Sequence, residues 1–187
     1  MRYGRLVRRR ALALSVVLVL LAVSGAASAR GQAAERPAGE LRDCGSRGEA
    51  RSPQRPAPAG GVRIGPLVLW PSIRTPQHPE PSGAEWPYVL KAPVILPART
   101  KAVLAIAAGA QGVAGFQHRG TYVSAIRFEA CREREPAFSY AGTVGKLTGF
   151  PFAIGLKRRS ACVPMQLWID GREQPLRRVV PVGRRFC

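Results

Sequence analysis

Four cysteines constrain this chain more than any other feature, because they follow a stretch that reads as an export leader. In an oxidising compartment an even number of cysteines reads as a set of disulfides. Cys44, Cys131, Cys162 and Cys187 therefore predict two bridges, and sequence alone leaves three connectivities open. Cys131 closes one apolar run and Cys162 opens another, both on the outward parity of their runs. That parity predicts a Cys131–Cys162 bridge. Cys44 is then left to join Cys187, closing the front of the chain onto its last residue. In the chain-entropy model, long loops closed in this way gain about 3–5 kcal/mol each. The competing use of cysteine is a metal site, which wants ligand pairs at short spacing. There is no C-x-x-C and no histidine near any cysteine, so neither a metal nor a cofactor is expected.

The leader itself has three parts. Arg2, Arg5, Arg8, Arg9 and Arg10 make a basic start, residues 11–23 form an apolar run of 13, and Ala27-Ser28-Ala29 supplies small residues at a cleavage spacing. This is the pattern of a secretory signal cut after Ala29. An uncleaved anchor is the alternative, but the run falls short of the ~20 residues that span a bilayer. Arg8-Arg9 resembles a twin-arginine signal only weakly in a chain with this much arginine. Cys44 is not a lipidation site, because Leu41-Arg42-Asp43 precedes it where small residues are needed. No other stretch is apolar for long enough to span, so the expected product is extracytoplasmic and either soluble or peripheral.

Behind the leader the composition changes twice. Residues 30–60 hold one large apolar residue, Leu41, among Ala, Gly, Pro, Ser and charge. Such a stretch buries too little surface to offset its ordering entropy, so it is expected to be a disordered linker, tied down only at Cys44. From residue 61 short apolar runs alternate with turn residues. The runs are 65–70, 88–96, 101–107, 122–130, 150–156, 162–169 and 176–182. Ile126, Phe128 and Ala130 share one face of the clearest run, and Val163, Met165, Leu167 and Ile169 share one face of another. Pro93 marks its run as an edge strand or a bulge, and Asp170-Gly171 is a hairpin signal. No window carries a capped helical stripe. Seven or eight strands without helices predict an all-β antiparallel sandwich, immunoglobulin-like in architecture, over residues 61–187. The Cys–Trp–Cys signature of true immunoglobulin domains is absent between Cys131 and Cys162.

Five pieces of this region carry a resemblance. They are Val62-Arg63-Ile64-Gly65-Pro66-Leu67, Ile126-Arg127-Phe128-Glu129-Ala130-Cys131, Ser160-Ala161-Cys162-Val163, the Asp170-Gly171-Arg172 turn and the final Cys187. Together they resemble a group of small exported proteins of high-GC actinobacteria, over roughly residues 60–187. The resemblance rests on cysteine placement. It implies an exported β fold and assigns no catalytic residue, since the group carries no assigned activity.

Catalytic patterns are missing from the sequence: there is no G-x-S-x-G elbow, no H-E-x-x-H and no P-loop. His78 and His118 fall in Pro-rich and Gly-rich stretches and read as exposed loop residues. Arg132-Glu133-Arg134-Glu135 reads as a solvated turn of paired charges. Trp86 and Tyr88, at the end of the long loop 71–87, and Trp168, on an outward position, are candidate ligand contacts. Packing of a loop onto the sheet is the simpler reading of both tryptophans.

Charge is the remaining signal. The formal net charge is +18, of which the leader holds five arginines and residues 61–187 hold 18 basic against 7 acidic residues. Lys157, Arg158, Arg159, Arg172, Arg177, Arg178, Arg184 and Arg185 fall in the last strands and form a candidate anion-binding patch. Electrostatics alone favours anionic partners for it. Outside a cell these are phosphate-rich wall polymers or lipid head groups. Export and the lack of a reader motif argue against nucleic acid, and the excess of arginine over lysine, 25 to 4, also fits coding bias. The expected function is a non-enzymatic envelope-binding β domain. The alternatives are a small extracellular hydrolase with an unrecognised site, or an accessory subunit of a surface complex.

Overall fold

A computed structural model describes residues 35–46, 59–76, 85–135 and 146–187. The chain divides into a unit of residues 1–35 and a unit of residues 36–187. The expected leader lies outside the described residues, and the fold below is that of the second unit. Among the described residues there is no α-helix, only three short 3-10 turns, and no helix is long and apolar enough to cross a membrane.

The strands in chain order are β1 (Glu40–Arg42), β2 (Val62–Ile64), β3 (Leu67–Leu69), β4 (Tyr88–Lys91) and β5 (Val94–Pro97). They continue with β6 (Lys101–Ile106), β7 (Ala114–His118), β8 (Thr121–Val123) and β9 (Ala125–Glu129). The last four are β10 (Leu147–Phe150), β11 (Ala153–Leu156), β12 (Ala161–Ile169) and β13 (Leu176–Val182). A first sheet runs β1-β9-β6-β12-β13, a second β10-β5-β3-β2, and a third β4-β11-β7-β8. All pairings are antiparallel except β1 with β9.

The described residues hold thirteen strands rather than seven or eight because three expected runs each break into two strands and β1, β2 and β7 fall outside the expected runs. Residues 88–96 split into β4 and β5, and residues around 150–156 into β10 and β11. The breaks fall at Pro93 and Pro151, which have no N–H to give a ladder. β4 pairs with β11 while β5 pairs with β10, so two backbones turn from the third sheet into the second side by side. At this corner the Ala92 N–H donates to the Phe152 carbonyl at 2.9 Å, and the Pro93 carbonyl accepts from the Trp70 N–H at 2.9 Å. Residues 122–130 break at Ser124 into β8 and β9, which belong to different sheets. Gly65-Pro66 is the turn of a β2–β3 hairpin and not a breaker in front of one strand.

The three sheets enclose one apolar core. Leu67, Leu69, Leu96 and Phe150 come from the second sheet, Leu90, Phe116 and Ile154 from the third, and Leu104, Ile126, Phe128 and Leu167 from the first. All are essentially inaccessible to water. Phe128 joins the first sheet to the second by a ring contact with Phe150 at 5.2 Å. The expected parity holds on β9 and β12, where Ile126, Phe128, Val163, Met165 and Leu167 all face inward.

Two disulfides are present, but their pairing differs from the expected one: Cys44 joins Cys131, and Cys162 joins Cys187. The reason lies in β1. Part of the 30–60 stretch expected to be disordered is this strand, hydrogen-bonded parallel to β9 with Arg42 opposite Phe128. Two residues further along that register, Cys44 arrives beside the end of β9 and next to Cys131. The Cα atoms of the pair are 4.9 Å apart. Residues 36–39 continue across the outer face of the first sheet. Arg36 pairs with Asp170 at 2.5 Å, and Gly39 packs on Val103 and the backbone of Arg127.

Candidate functional site

The expected basic patch divides into several places. One group of four assembles where β12 begins and β13 ends. Ala161 lies opposite Val182, so the register carries Arg158 and Arg159 toward Arg184 and Arg185. Gly183 makes the approach close: a Cβ there would lie 2.6 Å from the Arg159 carbonyl oxygen. Its φ of +68° also lets the chain turn back after β13. The Cys162–Cys187 bridge, with Cα atoms 5.7 Å apart, holds the returning tail on the hairpin. All four arginines are exposed. The sequence has no acidic residue in 157–169 or 174–187. Phe186, next in the chain after Arg185, is 66% exposed, with the Arg185 guanidinium 5.0 Å from its ring centre.

The other four basic residues are placed elsewhere. Arg172 follows the Asp170-Gly171 turn at the far end of the hairpin, roughly 25 Å away at ~3.4 Å per strand residue. Arg177 lies on the outer face of β13. Arg178 points to the opposite side and donates to the Arg63 carbonyl at 2.8 Å. Lys157 is held by Glu85, with Nζ 2.7 Å from its carbonyl and 3.1 Å from its carboxylate, and lies 4.3 Å from the ring centre of Trp86.

The candidate aromatic contacts are occupied by packing. Gly115 and Gly155 face each other across β7 and β11, leaving a bare strip on the third sheet. Trp86 and Tyr122 cover it, with ring centres 5.3 Å apart. A Cβ on Gly155 would lie 2.4 Å from the Tyr122 ring and 2.8 Å from the Trp86 Cβ. Trp86 is therefore buried, and on a sheet face. Tyr88 is half-buried against the core. Trp168 is 3% exposed on the face crossed by residues 36–39, and its Nε1 has no hydrogen-bond partner.

His118 is not the exposed loop residue expected. It ends β7 and is buried, because the β7–β8 turn needs only Arg119 and Gly120, both at positive φ. Sequence signals for this turn existed in Arg119-Gly120 between two short apolar runs. The Glu40 carboxylate lies 3.9 Å from His118 Nε2, and Nδ1 has no partner. Arg42, beside it on β1, donates to the carbonyls of Gln117, at 2.6 Å, and Pro151. Burial lowers the Arg42 pKa. Burial, then the charge of Arg42, holds the His118 imidazole below its ordinary value, with Glu40 opposing and Arg119 adding. His78 lies outside the described residues.

One cleft of about 530 Å³ lies over the Cys44–Cys131 bridge, lined by Asp43, Arg99, Lys101, Glu129, Arg132 and Glu135. Glu129 pairs with Lys101 at 3.3 Å and with Arg127 at 3.8 Å. Cys44, Cys131 and Glu135 bring their ligand atoms within 4.8 Å of one another. With the two sulfurs bonded together neither is a thiolate, so a metal is offered only the Glu135 carboxylate. No protein-family model, curated protein or solved structure matches the chain.

Proposed function

We propose that this chain is an exported, non-enzymatic domain of the cell envelope that holds phosphate-bearing anionic partners on the arginine end of its β12–β13 hairpin. The observation that carries the reading is the meeting of Arg158, Arg159, Arg184 and Arg185, exposed, in a part of the sequence that has no acid. Four exposed guanidiniums with no side-chain ion pair among the described residues raise the local concentration of anions, and each offers a planar fork to phosphate oxygens. Two closed disulfides support an oxidising compartment. The single core shared by three sheets supports reading the fold as a sandwich of immunoglobulin-like architecture. The non-enzymatic part is supported by the cleft, where Glu129 is committed to Lys101 and Arg127.

The test is retention on isolated cell-envelope fractions and on polyphosphate at low salt. Retention is expected to fall as salt rises, since exposed charges are screened beyond about 10 Å at 0.1 M. Replacing all four arginines with serine is expected to lower it by up to about a thousandfold, at roughly 1 kcal/mol per charge. Equal retention of the fourfold variant would overturn the reading.

A further inference from the structure

Phosphate recognition alone leaves one part of the arginine end unexplained. Among the described residues, four large apolar side chains are exposed, and only Val179 at 51% and Phe186 at 66% are more than half so. Both belong to β13 or its tail. Along β13 the side chains of Val180 and Val182 enter the core, which turns Arg177 and Val179 outward, while Pro181, of the same parity, is buried. Cys162 lies opposite Pro181 and is exposed on the same outer face. Its bond to Cys187 therefore brings the tail, with Phe186, back onto the face that carries Val179. From Pro181 to Val179 is two strand residues, about 7 Å. The register and the bridge thus bring the two exposed apolar groups toward one face, with Arg177 on the same face of β13 as Val179 and Arg185 on the Phe186 ring.

A soluble polyanion offers this arrangement phosphates and nothing apolar. A bilayer offers both: phosphates at the level of the guanidiniums, and acyl chains just below for an aromatic and an aliphatic side chain. We infer that the outer face of the β12–β13 hairpin docks on the surface of an anionic lipid bilayer, with Phe186 and Val179 entering the interface and the arginines on lipid phosphates. The inference rests on the anion-binding reading above and adds the kind of surface. The staple gives the docking group its rigidity. Phe186 is held by the bonded neighbour Cys187 and by Arg185 on its ring, so little ordering entropy is lost on contact.

The experiment is sedimentation of the whole protein with vesicles of mixed phosphatidylglycerol and phosphatidylcholine, beside vesicles of phosphatidylcholine alone and beside polyphosphate. Binding to the mixed vesicles and none to phosphatidylcholine is expected. Phe186→Ser is expected to lower partition onto the mixed vesicles roughly tenfold or more, the worth of one buried aromatic side chain, and to leave polyphosphate binding unchanged. Phe186 lies outside the core, so this variant keeps the fold. Phe186→Trp is expected to keep the partition and to shift its emission to the blue on vesicle addition. Wild-type partition by Phe186→Ser overturns bilayer docking while leaving the charge reading intact. So does binding to polyphosphate without binding to mixed vesicles. Binding to neither overturns both.

Discussion

His118 reports on how β1 is seated. Its imidazole is enclosed by the end of β7, with Glu40 and Arg42 from β1 on one side and Arg119 from the turn on the other. Burial and the neighbouring guanidinium lower its pKa in the fold, below the ordinary value of 6.5. The unfolded chain then binds a proton near that value while the fold resists it. The sign follows from linkage: stability is full above about pH 6.5 and is lost as the pH falls below it. The urea midpoint is expected to drop between about pH 7 and about pH 5, and less so in His118→Gln. Equal slopes in the two proteins would show that the pH response comes from carboxylates elsewhere. Gly155 illustrates a different residue-level constraint. Its missing Cβ is the space that Tyr122 and Trp86 occupy, which is why the Trp is packed rather than presented.

Among the elements, β1 depends most on a covalent tie. It has three residues, at the edge of its sheet and parallel to its neighbour. The Cys44–Cys131 bridge spans 87 residues and the Cys162–Cys187 bridge 25. In the chain-entropy model these are worth about 4.6 and about 3.5 kcal/mol. The double serine variant of Cys44 and Cys131 is expected to lose more stability by denaturant titration than that of Cys162 and Cys187. Faster amide exchange is expected at β1 and β9 before the rest of the fold. A larger loss from the shorter loop would contradict the entropic account.

The same strand shows where sequence reading stopped. Glu-Leu-Arg has no alternation to read, its pairing is long-range, and without it the partner of Cys44 could not be found. The β12–β13 hairpin was legible because Asp170-Gly171 and the inward parity of Val163, Met165 and Leu167 agree with each other. The corners were half legible. Pro93 signalled an interruption, but a bulge, an edge and a change of sheet look alike until the pairing of Pro151 on the neighbouring strand is known. Of the arginine end, the residues were legible and their sorting was not. Which of eight charges meet is set by register and by the Gly183 turn.

At the scale of the whole molecule, the three tryptophans sample three sheets. Trp70 follows β3 of the second sheet, Trp86 lies on the third, and Trp168 is in β12 of the first. A single shared core predicts a single cooperative transition. Variants keeping one tryptophan each are expected to give fluorescence midpoints that, set against their own far-ultraviolet dichroism, coincide. Separate transitions for Trp168 and Trp86 would mean that the sheets melt independently. The paired corner at Pro93 and Pro151 bears on the same question mechanically. Two covalent backbones cross there side by side, so tension or shear applied to the second sheet passes into the third through main-chain bonds.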